Sequence, residues 1–135
     1  MQQRGQRQRI LAGGLHALGQ QGEQAAWSPD EQRLAFRSQR NGGGLFVLDL
    51  RTNQVRQITS EGFAFLPSIS PDGHKVYYLV RAGGVRNWIS GGLWGADLTS
   101  GQRQRLLPDF LMQHYSISAD GQRVVFVAVD DTGRT

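Results

Sequence analysis

The sequence predicts an all-β chain of β-propeller blades, each a four-stranded antiparallel sheet, and three observations carry that prediction. A short phrase recurs as Ser28-Pro29-Asp30, Ser70-Pro71-Asp72 and Ser118-Ala119-Asp120, with 42 and then 48 residues between the serines, a period typical of propeller blades. Six residues beyond each serine begins an apolar run rich in β-branched and aromatic residues: Leu34-Ala35-Phe36, Val76-Tyr77-Tyr78 and Val124-Val125-Phe126. Such runs, bounded by turn formers, read as strands. Finally, Gly44-Leu45-Phe46-Val47-Leu48-Asp49-Leu50 matches Gly92-Leu93-Trp94-Gly95-Ala96-Asp97-Leu98 at a constant offset of 48. The expected propeller is incomplete, with two full blades and parts of two others.

Taken in order, residues 1–11 end in Gln6-Arg7-Gln8-Arg9-Ile10-Leu11, which nearly repeats Gln102-Arg103-Gln104-Arg105-Leu106-Leu107. They read as the fourth strand of a preceding blade, and residues 12–23 as the loop that follows it. Residues 24–59 form a blade. Its second strand holds Leu34 to Phe36, its third Leu45 to Leu50, and its fourth, Gln54-Val55-Arg56-Gln57-Ile58-Thr59, alternates as a half-exposed edge does. Residues 60–112 repeat the pattern as a second blade with its flanking loops, and residues 113–135 hold the first two strands of a further blade. All belong to one propeller domain. In Ser-Pro-Asp-Gly the proline presets a type I turn and Gly73 closes it, with Glu31 and Ala119 as single departures. The second strands are apolar at nearly every residue, so both faces of each sheet are expected to be covered. Since about 4 to 8 blades close a propeller, the parent protein is expected to be longer at both ends.

At these residues the chain resembles the Pro-Asp-type β-propeller repeats of the TolB family. The resemblance is carried by Trp27-Ser28-Pro29-Asp30, Leu34-Ala35-Phe36, Leu45 to Leu50 and Ile58-Thr59, and by their counterparts through Leu106-Leu107 and Ile117 to Phe126. It implies a bacterial repeat protein, a non-catalytic scaffold for protein or peptide interaction, and a periplasmic or extracytoplasmic compartment. Similar repeats form the N-terminal propellers of prolyl-oligopeptidase-like serine peptidases, so the alternative is a gating propeller whose catalytic domain lies outside this chain. A fold shared this widely assigns no activity.

Composition bounds the function. With 39% hydrophobic residues, 18 Gly and 4 Pro, the chain is an ordinary globular β domain. No apolar run approaches the roughly 20 residues of a membrane helix. The absence of Cys excludes disulfides, thiol catalysis and cysteine zinc sites. The net charge of +4 raises nucleic acid as a partner, but Arg7, Arg9, Arg56, Arg103 and Arg105 fall on outermost strands. Charge there blocks edge-to-edge pairing, so no nucleic-acid partner is expected.

Function is expected where the connections are long. The first-to-second and third-to-fourth connections are all tight and share one end of the blades. At the other end, Tyr78 to Gly92 spans 14 residues where Phe36 to Gly44 spans 8, and Leu11 to Ser28 spans 17 where Thr59 to Ser70 spans 11. Loops held on a rigid scaffold carry most binding residues. Arg86, Asn87, Trp88, His114 and Tyr115 are the candidate binding residues on that loop face, Trp and Arg being typical of binding hot spots. No catalytic residue, metal ligand or cofactor is expected. Ser90 lacks the preceding glycine of a nucleophile elbow, and Asp30, Asp72, Asp120, Asp49 and Asp97 recur blade after blade as structural residues do. The terminal blades are expected to self-associate through faces without neighbours.

Overall fold

The computed structural model describes residues 25–60, 63–81 and 90–129. Ten strands account for nearly all of their regular structure, β1(Ala25–Trp27), β2(Arg33–Ser38), β3(Gly44–Asp49), β4(Gln54–Gln57), β5(Ala64–Ile69), β6(Lys75–Arg81), β7(Gly91–Asp97), β8(Arg103–Leu106), β9(Leu111–Ile117) and β10(Val124–Val129). Strands β1 to β4 form a four-stranded antiparallel meander, the first blade. Strands β5 to β8 repeat it as the second, and β9 pairs with β10 to begin a third. One bridge, Gly91 with Met112, joins the second and third blades into a continuous six-stranded sheet. The architecture is an incomplete β-propeller. The strands expected in residues 1–11 and the loop at 12–23 lie outside the described residues.

Alternation along each strand sends side chains to both faces, and in the first two blades apolar side chains on both faces are buried. In the first blade Ala35, Leu45 and Val47 point one way and pack with Ala64, Ile69, Val76, Tyr78 and Ala96 of the second. Leu34, Phe36, Phe46 and Leu48 point the other way as a second buried cluster, with the Phe36 and Phe46 rings stacked at 5.8 Å. The far face of the second blade, led by Phe65, Leu79 and Leu93, packs on Met112 and Tyr115 of β9 and on Val124 and Phe126 of β10. Burying each such side chain contributes roughly 1.5–3 kcal/mol.

The recurring Ser-x-Asp phrase builds one turn three times. The Ser28, Ser70 and Ser118 hydroxyls donate to Asp30, Asp72 and Asp120 at 2.6, 2.6 and 2.5 Å. Each also accepts a 3.0 Å bond from the amide five residues on, at Arg33, Lys75 and Arg123. The aspartate oxygen takes the amide two residues on, at Gln32, His74 and Gln122. The serine hydroxyl and one aspartate oxygen of each turn are thereby bonded within the turn itself. Ala119 replaces proline without changing the pattern, because the bonds are made by the serine and aspartate beside it.

The β6–β7 hairpin differs from the spacing argument. Strand β6 runs on to Arg81 and β7 begins at Gly91, one residue beyond the matching ends of β2 and β3. Two of the six extra residues thus lengthen the hairpin, and the remaining four enlarge the connection at residues 82–90.

Candidate functional site

The candidate residues divide between strand and connection. Arg86, Asn87 and Trp88 lie outside the described residues. His114 and Tyr115, expected on the loop face, lie within β9, and this is a correction of place. Their side chains alternate: His114 is exposed, whereas Tyr115 is 6% exposed and belongs to the packing between the second and third blades. Its hydroxyl donates to the Leu66 carbonyl at 2.6 Å and shares a 2.9 Å bond with the Ser68 hydroxyl. Burial pushes the phenol's pKa above its ordinary 10.0, so the ring is a neutral hydrogen-bonding strut at physiological pH.

Residues Leu66 and Pro67 form a β-bulge, placed between the pairs Phe65 with Leu79 and Ser68 with Tyr77. Pro67 lacks an N–H and suits a position without a ladder bond. Leu66 sits at φ 52°, in the left-handed region that a branched side chain seldom enters. The bulge makes its carbonyl available to Tyr115 across the blade junction. Sequence reasoning missed this lock because its partners are 47 and 49 residues apart.

The tight-turn end carries further cross-blade polar contacts. Arg33 Nη1 donates to the Gly73 carbonyl at 2.7 Å and its Nε lies 3.9 Å from Asp49, while the Arg56 guanidinium donates to the Leu98 carbonyl. At the other end of the second blade, Arg105 donates to the Pro108 carbonyl of its own connection at 3.2 Å. The arginines at Arg56 and Arg105 therefore bind backbone as well as charging an edge. Arg7 and Arg9 lie outside the described residues. The Asp30, Asp72 and Asp120 carboxyls are held below the ordinary 3.8, first by the serine hydroxyl and then by the backbone amide. Asp97 is lowered by the amides of Ser100 and Thr99, which close the β7–β8 turn.

No catalytic arrangement emerges among the described residues. Ser90 is fully buried just before β7, where no substrate reaches it. No three His, Asp or Glu side chains among the described residues gather as metal ligands, and no helix there is long and apolar enough to cross a membrane.

No family model matches the chain, and no curated protein matches it. Solved propellers do. TolB from Acinetobacter baumannii superposes with a TM-score of 0.61 at 24% identity, covering 76% of this chain and 25% of that one. An oligogalacturonate lyase from Vibrio parahaemolyticus gives 0.61 at 19%, covering 78% and 28%. The β-propeller domain of the Trilobed protease from Pyrococcus furiosus gives 0.55 at 17%, covering 76% and 32%. These identities show the fold. The chain spans about a quarter to a third of the length of these three structures.

Proposed function

We propose that this TolB-like β-propeller segment is a non-catalytic scaffold for binding a protein or peptide, with the loop face as its contact surface. The observation that carries the reading is the unequal length of connections at the two ends: residues 82–90 join β6 to β7 at the loop face, where residues 70–74 and 98–102 suffice to join β5 to β6 and β7 to β8 at the other. Arg86, Asn87 and Trp88 lie in that enlarged connection and supply residue types that dominate binding hot spots. The likeness to TolB supports the reading. Tyr115 enters as a buried strut between blades, and His114 as its exposed neighbour in β9.

In the full-length protein, Trp88→Ala is expected to weaken partner binding by roughly 1–4 kcal/mol while leaving Tm unchanged. Calorimetric titration of a co-purified partner, alongside thermal unfolding, checks it. Asp72→Ala at the opposite end is expected to lower Tm and leave affinity alone. The reverse pair of results would place the contact on the tight-turn end. The likeness to the Trilobed protease propeller supports a second reading, a gating propeller beside a serine peptidase. A Gly-x-Ser-x-Gly sequence with Asp and His elsewhere in the full-length gene would favour it.

A further inference from the structure

Asn41-Gly42 is the one Asn-Gly pair in the sequence, and it lies in the connection at residues 39–43 that joins β2 to β3 at the loop face. An asparagine closes a succinimide ring on its own backbone when the amide nitrogen of the next residue attacks its side-chain carbonyl carbon. Glycine in that next position leaves the nitrogen unshielded. Both residues are exposed, and nothing lies within 4 Å of where a Gly42 Cβ would stand, so water and hydroxide reach the reacting atoms. The backbone nevertheless holds those atoms apart. Asn41 sits at φ 52°, ψ 38°, and its tetrahedral Cα sets Cβ about a third of a turn from the backbone nitrogen. The Gly42 nitrogen and the Asn41 side chain therefore leave the Cα–C bond on nearly opposite sides, whereas the ring needs them on the same side. Rotation about that bond is restrained by the flanking contacts. Ser38 pairs with Gly44, and Gln57 Nε2 donates to the Gly43 carbonyl at 3.2 Å and to the Thr59 carbonyl at 3.0 Å.

We propose that Asn41 is a site of spontaneous deamidation that the folded β2–β3 connection suppresses and that local opening of this connection releases. Once hydroxide has taken its proton, the Gly42 nitrogen bonds to Asn41 Cγ. The bond from Cγ to the side-chain nitrogen breaks, and that nitrogen takes a proton from water and leaves as ammonia. Water then opens the succinimide at either carbonyl and gives aspartate or isoaspartate, with no oxidant or reductant. Either product adds one negative charge to the loop face, and isoaspartate also inserts a methylene into the main chain. The folded chain reacts at the rate of the unfolded chain multiplied by the fraction of time that the connection is open. Asn53 is an internal comparison: it too is left-handed, at φ 59°, but Gln54 follows it. The reaction needs no partner, so the proposal stands apart from the loop-face reading.

Incubation of the chain in mildly alkaline buffer, with and without enough urea to unfold it, followed by peptide mass mapping, tests this. Trypsin releases residues 41–51, in which Asn41 is the only asparagine, and deamidation is read as the mass gained when NH is replaced by O. In urea, Asn41 is expected to convert at least tenfold faster than Asn53 and to yield both aspartate and isoaspartate, separable by chromatography. Without urea, conversion at Asn41 is expected to slow at least tenfold. Gln57→Leu removes the clamp on Gly43 and is expected to raise the rate in the folded chain at least threefold, with folding checked by circular dichroism. If that variant unfolds, the comparison of the unaltered chain with and without urea decides alone. Equal rates with and without urea, conversion of Asn53 as fast as Asn41, or aspartate without isoaspartate would overturn the proposal. So would an unchanged rate in a folded Gln57→Leu variant.

Discussion

Glu31 occupies, at φ 59°, the left-handed position that Gly73 and Gly121 fill at 78° and 74° in the equivalent turns. A non-glycine residue there costs about 1–3 kcal/mol of strain, offset by the greater unfolded freedom of glycine, roughly 0.5–1 kcal/mol. Glu31→Gly is therefore expected to stabilise the chain by about 1 kcal/mol, read from the midpoint of denaturant unfolding. Gly44 allows no such exchange, because at φ 134° its Cβ would fall 2.0 Å from the Thr59 carbonyl oxygen. At the blade junction, Tyr115→Phe removes one hydroxyl and leaves the Leu66 carbonyl without that donor. We expect a loss of about 1–3 kcal/mol, measured by the same unfolding midpoint, with the β-rich circular dichroism spectrum unchanged.

At the scale of the element, the three Ser-x-Asp turns make stability depend on acid. Asp30, Asp72 and Asp120 have folded pKa values below the ordinary 3.8. The folded state thus binds protons less readily than the unfolded state. The stabilisation is complete above the unfolded value and is lost as pH falls through the lower folded values. Tm is expected to be insensitive to these groups between pH 5 and 7 and to fall below about pH 3.8. Asp72→Asn, which cannot titrate, is expected to flatten that acid limb in scanning calorimetry. These turns and the strands after them were legible because their signal is local: Ser28 and Asp30 are two residues apart, and the β2 and β6 apolar runs need only neighbouring residues. The β5 bulge was not legible. It exists to serve a contact with β9, and only Pro67 hints at it.

Across the whole molecule, the described blades differ in how their faces are covered. Both faces of the second blade are packed by a neighbour. On β10, Val125 and Val127 are 75% and 43% exposed and pair across the strand with Ser116 and His114, which are exposed too. A half-apolar sheet face of this kind favours association. Light scattering is expected to show mass rising with concentration, and Val125→Lys with Val127→Lys is expected to suppress the rise. A monomer at high concentration would contradict this. Arg33 and Arg56 show the same long-range character: their charge was visible in the sequence, but the Gly73 and Leu98 carbonyls that they reach are 40 and 42 residues away.

The sequence by itself determined the all-β propeller architecture, because turn chemistry, apolar alternation and a repeat period are all properties of short stretches or of their recurrence. It also placed β2, β3 and β7 within a residue or two, and the starts of β6 and β10, since each begins as an apolar run set off by turn residues. Tertiary structure alone decided what joins one blade to the next. Tyr115 became a buried strut instead of a surface residue because the alternation of β9 turns it toward Leu66 and Ser68. Such outcomes depend on pairs of side chains about 50 residues apart that share a junction, and no local pattern encodes that meeting.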